Sequence, residues 1–314
     1  MKKRIVVIGS LNADFVVSVH RFPLPGETVV GHSFTVFPGG KGANQAYAAA
    51  RLGGTVSMVG RVGTDAQGSW LREHLEAAGV DVNFVGEDRT VSSGVASISI
   101  DHAGQNSIVI VPGANGTFGV EQLIESRELI ASAAIVLLQL EIPIETVYEA
   151  ARLAKEAGAL VILDPAPAVE VSNDLLALVD YLTPNETELA TLVGMPLEVE
   201  FDERSIAARA RELRARGARK VIVKLGVRGA LLVTQDEEQL WPALKVATVD
   251  TTAAGDWFNA ALAVALAAGE AETKAGMFAT AAAACAVMRK GAQPGELTRA
   301  EVEELLKRQQ STSC

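Results

Sequence analysis

The chain has 314 residues, of which 49% are hydrophobic and 21% are charged. These proportions are those of an ordinary folded protein and exclude a disordered chain, and the length suffices for one large domain or two. The formal net charge is -10, and no run of Lys or Arg follows the opening KKR, so we expect no nucleic-acid partner.

Short Val- and Ile-rich runs alternate with helical patterns along most of the chain. The runs predicted as buried strands are RIVVIG, AAIVLLQLE, GALVILDPAP, VDYLTPN and KVIVKLG, and helical patterns occupy residues 144–157 and 203–216. Apolar strands separated by helices predict an α/β fold with a doubly wound, mostly parallel sheet flanked by helices. No apolar run reaches the roughly 20 residues that span a bilayer, and the first strand is too short for a signal peptide. We therefore expect a cytoplasmic protein that makes no membrane contact.

Two segments, residues 12–37 and 91–111, alternate apolar and polar residues between Gly, Pro and Asn turn signals. This pattern is typical of half-buried antiparallel strands and predicts a small antiparallel β lid beside the main body. Its apolar face would need a cover, either a ligand or a second subunit.

The segment PGGKGANQA, residues 38–46, places three glycines around Lys41 before a helical pattern. It fails the P-loop pattern, and it fails G-x-G-x-x-G because position 45 is Gln. A plain turn would need fewer glycines. The segment therefore indicates a backbone brought close to a polar ligand, with the plain turn as the alternative.

Two further segments lie at predicted strand ends. In PNETEL, residues 184–189, the acidic residues either complement a helix dipole or, with Asn185, hold water around a magnesium ion. In KLGVRGALL, residues 224–232, a glycine turn joins two strands. It is either a simple hairpin or a loop over phosphates, because ligands of open α/β sheets bind beyond the carboxyl ends of strands.

The stretch VDTTAAGDWFNAALAVAL, residues 249–266, sets Asp256 behind three very small residues at the start of a helix. An Asp there could be a helix cap. A cap does not need the preceding positions cleared of side chains, whereas an approaching phosphate does. The later Ala-rich run FATAAAACAVM allows either close helix packing or a shelf for a flat ring.

In their order, the motifs resemble the ribokinase-like family of carbohydrate kinases over essentially the whole chain: GSLNAD, PGGKGANQA, GANG, LQLE, DPAPA, TPNETE, KLGVRGA, DTTAAGD and RKGAQP. The resemblance implies one kinase domain over residues 1–314, with lid segments at about 12–37 and 91–111. It implies transfer of the γ-phosphate of ATP to a sugar hydroxyl. The pieces NAD, GGKGANQA and KGAQP favour the 5-hydroxyl of D-ribose, which would give D-ribose 5-phosphate and ADP.

The resemblance also assigns roles to residues. Asp256 would be the catalytic base, and the backbone N–H groups of Ala253, Ala254 and Gly255 would form an anion hole. The sugar-binding positions would be Asn12, Asp14, Gly40, Lys41, Gly42, Asn44 and Glu141, together with Asp256 itself. Asn12 favours a sugar that carries a 2-hydroxyl.

On the nucleotide side, the resemblance implies ATP contacts from Asn185, Lys224, Leu225, Gly226, Val227, Arg228, Gly229, Gly255 and Thr280. Glu188 matches the acidic residue associated with Mg²⁺ and phosphate. A K⁺ site beside the anion hole would be formed by Asp250, Thr252, Ala286, Arg289, Gly291 and Gly295.

Three positions depart from the family pattern. Thr280 stands where His or Asn often meets the adenine, and Gly295 stands where a Ser often adds a hydroxyl to the cation site. Trp257 follows the catalytic Asp where small residues are usual, and would either pack into the core or crowd the cleft.

The lid implies a homodimer. The alternatives left open are a kinase of the same fold for 2-deoxyribose, another sugar or a nucleoside, and a sugar-binding sensor without activity. A dinucleotide-dependent dehydrogenase shares the α/β pattern but lacks the glycine fingerprint.

Overall fold

The computed structural model describes residues 3–196 and 202–312. The strands of the main sheet are β1 (Arg4–Ile8), β4 (Thr55–Gly63), β5 (Asp81–Asp88), β8 (Ile135–Leu138), β9 (Leu160–Leu163), β10 (Tyr181–Leu182), β11 (Lys220–Lys224), β12 (Ala230–Val233) and β13 (Glu238–Trp241). Their spatial order is β13-β12-β11-β10-β9-β8-β1-β4-β5.

Neighbouring strands from β5 to β11 pair in parallel, and only the β11–β12 and β12–β13 pairs of this sheet are antiparallel. The helices lie on both faces. They are α1 (Lys41–Arg51), α2 (Ala66–Ala77), α3 (Val120–Ile124), α4 (Arg127–Ser132), α5 (Ile144–Glu156), α6 (Asn173–Leu176), α7 (Glu186–Leu192), α8 (Glu203–Ala215), α9 (Ala254–Ala267), α10 (Glu272–Val287) and α11 (Arg299–Thr312). The predicted α/β class with a doubly wound, mostly parallel sheet is confirmed.

Strand β1 shows why the buried part of the sheet strands is mostly apolar. Ile5 and Val7 belong to the core on the side of α1, α9 and α10, whereas Val6 and Ile8 belong to the core on the side of α5 and α8. Successive side chains of a strand point to opposite faces. Because helices cover both faces here, a polar side chain at any of these four positions would be buried without a partner. Arg4, the first residue of the strand, is only half-buried.

The predicted lid is a separate four-stranded sheet with the order β3-β2-β6-β7. It contains β2 (Asn12–Ser18), β3 (Ser33–Gly39), β6 (Gly94–Ile100) and β7 (Asn106–Val111). The β2–β3 and β6–β7 pairs are antiparallel, but β2 and β6 at the centre pair in parallel. A parallel pair is possible here, because β2 and β6 come from distant parts of the chain and no short hairpin has to join them.

The Ala-rich run of α10 serves close packing on one side. Ala279, Ala281 and Ala282 are buried in the core shared with α9. Among the described residues, no helix is long and apolar enough to cross a membrane.

Gly276, in α10, predicts the cost of adding one methyl group to this packing. A Cβ at Gly276 would lie 2.3 Å from ring carbons of the buried Trp241. We expect Gly276→Ala to lower the free energy of unfolding by about 1–3 kcal/mol, because a buried aromatic ring must move. Urea denaturation measures the change. The matched control is Gly86→Ala, whose Cβ meets nothing nearer than 3.9 Å; equal midpoints for the two variants would contradict the packing argument.

Candidate active site

Polar side chains collect where four neighbouring parallel strands end. Gln139 follows β8, Asp164 follows β9, Lys224 is the last residue of β11, and Asn185 beyond β10 forms a bridge with Lys224. Ligands of open α/β sheets bind at this edge. Helices α1 and α9 begin at the same edge, since Gln45 of α1 contacts both Asp164 and Asp256 of α9.

A cavity of about 580 Å³ opens at this edge. Its lining includes Lys41, Asp164, Ala166, Asn185, Glu188, Lys224, Gly226, Val227, Gly229, Ala253, Ala254, Gly255, Asp256, Thr280, Ala283, Ala284 and Val287. A volume of this size suits a small-molecule ligand. Ala283, Ala284 and Val287 of α10 form part of the wall, so α10 both packs against α9 and offers an apolar surface to the cavity.

Asp256 lies in the first turn of α9 and is 5% exposed. Its carboxylate accepts hydrogen bonds from Nδ2 of Asn44 and Nε2 of Gln45, both at 3.0 Å. The cap residue of α9 is Ala253, and no side chain caps this helix. Asp256 therefore lies in the first turn, as the alternative interpretation had it, but its side chain does not cap the helix.

The protonation of Asp256 is set by opposing effects. Burial raises the pKa of Asp256, Lys41 lowers it, the negative charge of Asp164 raises it, and the amides of Asn44 and Gln45 lower it; together these effects raise the pKa to about 6. A carboxyl group that titrates near neutral pH is suited to accept a proton in a reaction.

The start of α9 is strained in a way that serves anion binding. Ala253 has φ 57°, and among the described residues no other non-glycine residue has a positive φ. The first helical N–H groups, including those of Gly255 and Asp256, have no intrahelical acceptors. The N–H of Ala254 makes only a 3.3 Å contact with the carbonyl of Thr251. Helix starts of this kind bind anions, and small side chains let the anion approach.

Three lysines line the cavity, Lys41, Lys224 and Lys245, and the first two lie among its acidic residues. Burial lowers the pKa of Lys41, but Asp256, Asp164, Glu141 and Glu188 outweigh it and the pKa is raised, so this lysine is held as a cation. Nζ of Lys224 lies 2.8 Å from Oδ1 of Asp164 and 3.9 Å from Oε2 of Glu188. A Cβ at Gly255 would lie 3.1 Å from the same Nζ, so the glycine leaves room for Lys224 beside the helix start.

The predicted sugar-side residues lie next to this cavity on the side of the lid. The N–H of Lys41 donates to Oε2 of Glu141 at 2.9 Å, and Asn44 contacts Asp256. Burial and the nearby Glu141 raise the pKa of Asp14 to about 7. The lining of the cavity includes Lys41 and Asp256 but not Asn12, Asp14, Asn44 or Glu141.

The glycines of PGGKGANQA are required for close approach rather than for a plain turn. Gly40 caps α1 with φ 86°. A Cβ at Gly42 would lie 2.6 Å from the backbone nitrogen of Ser10, and a Cβ at Gly39 would lie 2.2 Å from the carboxylate of Asp14. The three glycines therefore bring the start of α1 against the loop after β1 and leave space for the Asp14 side chain.

Some of the residues predicted to contact ATP line the cavity, and others do not. Strands β11 and β12 form an antiparallel hairpin, so that interpretation is confirmed, and Gly226, Val227 and Gly229 of its turn also line the cavity. Leu225 is instead buried in the core, and Arg228 pairs with Glu186 at 2.5 Å. The hydroxyl of Thr280 donates to the carbonyl of Gly276 at 2.9 Å, while the residue itself borders the cavity.

Asn185 and Glu188 form a reciprocal cap at the start of α7. Oδ1 of Asn185 accepts from the N–H of Glu188 at 2.8 Å, and Oε2 of Glu188 accepts from the N–H of Asn185 at 2.7 Å. The helix-start interpretation is therefore confirmed. Burial raises the pKa of Glu188, Lys224 lowers it and Asp164 raises it, with a net increase. Both residues still border the cavity, which fits an Mg²⁺ ion that keeps most of its waters.

Three of the six residues predicted for a monovalent cation are joined by hydrogen bonds. The N–H groups of Thr252 and Gly291 donate to the carboxylate of Asp250 at 2.9 Å each. Ala286 and Arg289 are joined to each other near the end of α10, where the N–H of Arg289 donates to the carbonyl of Ala286. Burial raises the pKa of Asp250, but the hydrogen bonds from Thr252 and Gly291 leave it lowered, so the carboxylate is held charged. A charged carboxylate at this position fits a cation.

Two departures from the family pattern have plain outcomes. The carbonyl of Gly295 accepts from Nη2 of Arg51 at 2.6 Å, and the contacts described for Gly295 do not join it to the Asp250 cluster. Trp257 is fully buried, and its Nε1 donates to the carbonyl of Ala292 at 3.0 Å. Trp257 therefore packs in the core rather than in the cleft.

Sequence reasoning missed several buried polar residues. Gln45 joins Asp164 to Asp256, Gln139 donates to Gln45, Gln293 donates to Asn44, and Asn115 donates to Asn12 at 2.8 Å. For Asp164 and Gln139 a signal was available, because each is a polar residue towards the end of a run predicted as a buried strand. For the others, only the folded chain shows what they contact.

Comparisons with known proteins agree with this geometry. Residues 2–299 match the family described as pfkB family carbohydrate kinase. The ribokinase of Bacillus subtilis is 42% identical over 304 residues, which cover 97% of this chain and 99% of that protein. A deoxyribokinase of Salmonella typhimurium is 40% identical over 255 residues, covering 81% and 82%. The structure of Arabidopsis thaliana ribokinase complexed with ribose and ATP has a TM-score of 0.92 at 39% identity, covering 98% of this chain and 99% of that chain.

The titration of Asp256 tests the electrostatics of the site without any substrate. We expect its carboxyl group to titrate at about pH 6, and Lys41→Met to move this midpoint upward, because the lysine stabilises the charged form. Carbon NMR of the aspartate side chains measures the midpoint, and Asp256→Asn assigns the signal. A midpoint at the ordinary aspartate value would contradict the argument.

Proposed function

The chain belongs to the pfkB family of carbohydrate kinases, and from this premise we propose that it transfers the γ-phosphate of ATP to the 5-hydroxyl of D-ribose. The products are D-ribose 5-phosphate and ADP. The observation that carries the proposal is the buried Asp256 carboxylate at the N-terminus of α9, where a proton acceptor and unpaired N–H donors meet beside Lys41. A sensor that only binds sugar would need no base of this kind.

Asp256 is proposed as the base. It accepts the proton of the 5-hydroxyl while that oxygen attacks the γ-phosphorus, and the bond from the γ-phosphorus to the bridging oxygen of ADP breaks. The N–H groups of Ala253, Ala254 and Gly255 stabilise the charge that develops on the transferred phosphoryl group. Lys41, held as a cation at the cavity, contributes in the same direction.

The sugar is proposed to bind between the start of α1 and the lid. Asn12, Asp14 and Asn44 offer amide and carboxylate groups that can bridge neighbouring hydroxyls, and Glu141 and the glycines of α1 shape this side. The amide of Asn12 is oriented, because its Oδ1 accepts from Asn115 and its Nδ2 is left to donate to the sugar. A site built to bond a hydroxyl rejects an analogue that lacks it.

ATP is proposed to occupy the cavity, with its phosphates towards Lys224 and the start of α9. Gly226, Val227 and Gly229 of the hairpin turn and Ala283, Ala284 and Val287 of α10 then face the base and ribose of the nucleotide, and Thr280 borders the same space. Asn185 and Glu188 would hold Mg²⁺ through water, and the ion supplies charge neutralisation to the phosphates. Asp250, Thr252, Ala286, Arg289 and Gly291 would hold K⁺, whose role is to fix the backbone ahead of α9.

A single kinase domain with its lid, acting as a homodimer in the cytoplasm, completes the proposal. The lid strand β7 lies at the edge of its sheet, and Ile108, Val109, Ile110 and Val111 are each at least 50% exposed. Exposed apolar edge strands invite pairing with another chain. A second copy of the lid supplies a matching surface.

The acceptor preference tests the proposed activity directly. ADP release from Mg-ATP is measured with D-ribose, 2-deoxyribose, fructose and adenosine, each with and without K⁺. We expect D-ribose to give the highest kcat/KM and K⁺ to raise it. A higher value for 2-deoxyribose would replace D-ribose as the assigned sugar and would agree with the similarity to a deoxyribokinase. Ligand binding without ADP release would favour a sensor.

Asp256→Asn tests the base. The variant keeps a polar group of the same size beside Asn44 and Gln45, so it is expected to fold and to bind ATP. Its kcat should fall by about 10²–10⁴, because an amide cannot accept the proton. Circular dichroism and ATP titration are the controls for folding and binding, and near-full activity would contradict the assignment.

Asn12→Ala tests recognition of the sugar. Removing the oriented amide should lower kcat/KM for D-ribose by about tenfold or more and leave the value for 2-deoxyribose less affected, because only ribose loses a hydroxyl contact. The ratio of the two values is the measured quantity. An unchanged ratio would show that Asn12 does not read the 2-hydroxyl.

A further inference from the structure

We propose that Gln45 is a positioning residue for phosphoryl transfer, whose single amide group holds the carboxylates of Asp256 and Asp164 together. This ties the catalytic base to Lys224 on the nucleotide side of the cavity. The inference rests on the proposed function and adds to it a residue that makes no contact with the cavity itself.

The geometry joins two acids through one amide nitrogen. Nε2 of Gln45 donates to Oδ1 of Asp256 and to Oδ2 of Asp164, both at 3.0 Å. An amide nitrogen carries two hydrogens in fixed directions, so each carboxylate receives one. Gln45 is fully buried, and no water is needed to complete either bond.

The orientation of the Gln45 amide is fixed from behind. Nε2 of Gln139 donates to Oε1 of Gln45 at 2.7 Å. Turning the Gln45 amide over would set its oxygen against the two carboxylates and its nitrogen against the Gln139 donor. Gly9 leaves room for Gln139, because a Cβ at Gly9 would lie 2.0 Å from its Oε1. The two carboxylates and the Gln139 donor therefore favour one orientation of the Gln45 amide.

The charges around this bridge explain why it is needed. Asp256 faces Lys41 from α1 and Asp164 from the loop after β9. Lys224 from β11 pairs with Asp164 and also lies near Glu188 from α7. Two buried carboxylates close together disfavour each other's charged forms. The Gln45 amide stabilises both charged forms at once and keeps Asp256 aimed at the acceptor hydroxyl.

The test is the pH profile of Gln45→Met, which keeps the length of the side chain and removes both hydrogen bonds. Asp256 loses a donor to its charged form, so the acid limb of kcat/KM for the sugar acceptor should move to higher pH. We expect the loss of kcat/KM at about pH 5, below both midpoints, to exceed the loss at about pH 8 by nearly tenfold, the factor that one unit of pKa produces. ATP affinity should be unchanged. An equal loss at every pH would overturn the proposal, because that is the behaviour of a merely structural residue.

Two further variants separate positioning from general damage. Gln139→Met removes only the bond that orients Gln45, and a smaller shift of the acid limb in the same direction is expected. This variant also keeps the test available if Gln45→Met does not fold.

Asn259→Leu is the matched control, since Asn259 is a fully buried amide one turn further along α9 with no hydrogen-bond partner in the described part of the chain. A shift of the limb as large in Asn259→Leu would overturn the proposal.

A measurement without turnover distinguishes this inference from the proposed function. Carbon NMR of Asp256 in Gln45→Met should show a midpoint above that of the unchanged protein, whichever acceptor the enzyme uses. If no acceptor is phosphorylated but this midpoint rises, the proposed function fails and the bridge stands. If ribose is phosphorylated and the midpoint does not move, the bridge fails and the function stands.

Discussion

The site depends on burying two carboxylates side by side, Asp256 and Asp164, each of them close to a lysine. Burial alone raises the pKa of Asp256, and the nearby Asp164 adds to the increase. Lys41 offsets the first acid and Lys224 the second, and amide donors from α1 complete the hydrogen bonding. Removing one partner would leave a buried charge without compensation, which costs far more than the same pair does when complete. The positions of α1, β9, β11 and α9 are therefore fixed relative to one another by charge as well as by apolar packing.

The fold supplies this arrangement through a general property of parallel sheets. Strands whose carboxyl ends meet at one edge bring together residues that are far apart in sequence. Gln139 follows β8, Asp164 follows β9, and Lys224 is the last residue of β11. The left-handed Ala253 then turns the chain into α9 so that its first N–H groups and Asp256 point at the same space. A conformation of this kind costs about 1–2 kcal/mol in a non-glycine residue. It persists because the tightly packed α9 and α10 hold the turn in place.

Much of this was predictable from the sequence, and the reasons differ from part to part. The sheet was predictable because strands covered on both faces must be apolar along their buried part, as residues 5–8 of β1 are, and the lid because its strands alternate. Asp256 and Lys41 were found because small residues and glycines around a charge have few structural explanations. Gln45 was not found, since one glutamine in a helix carries no pattern and its partners lie 119 and 211 residues away. The parallel pairing of β2 with β6 and the separation of Gly295 from the Asp250 cluster also depend on tertiary contacts that no local pattern records.

The central claim is that Asp256 accepts the proton of a sugar hydroxyl while the oxygen of that hydroxyl attacks the γ-phosphorus of ATP, and the identity of the product tests it most directly. Phosphorus and carbon NMR of a reaction containing Mg-ATP, K⁺ and carbon-labelled D-ribose would follow the transferred group. The account predicts ADP and a phosphate ester on carbon 5 of ribose in equal amounts, with neither formed by Asp256→Asn at a comparable rate. Release of inorganic phosphate in place of the ester, or an ester at another carbon, would contradict it.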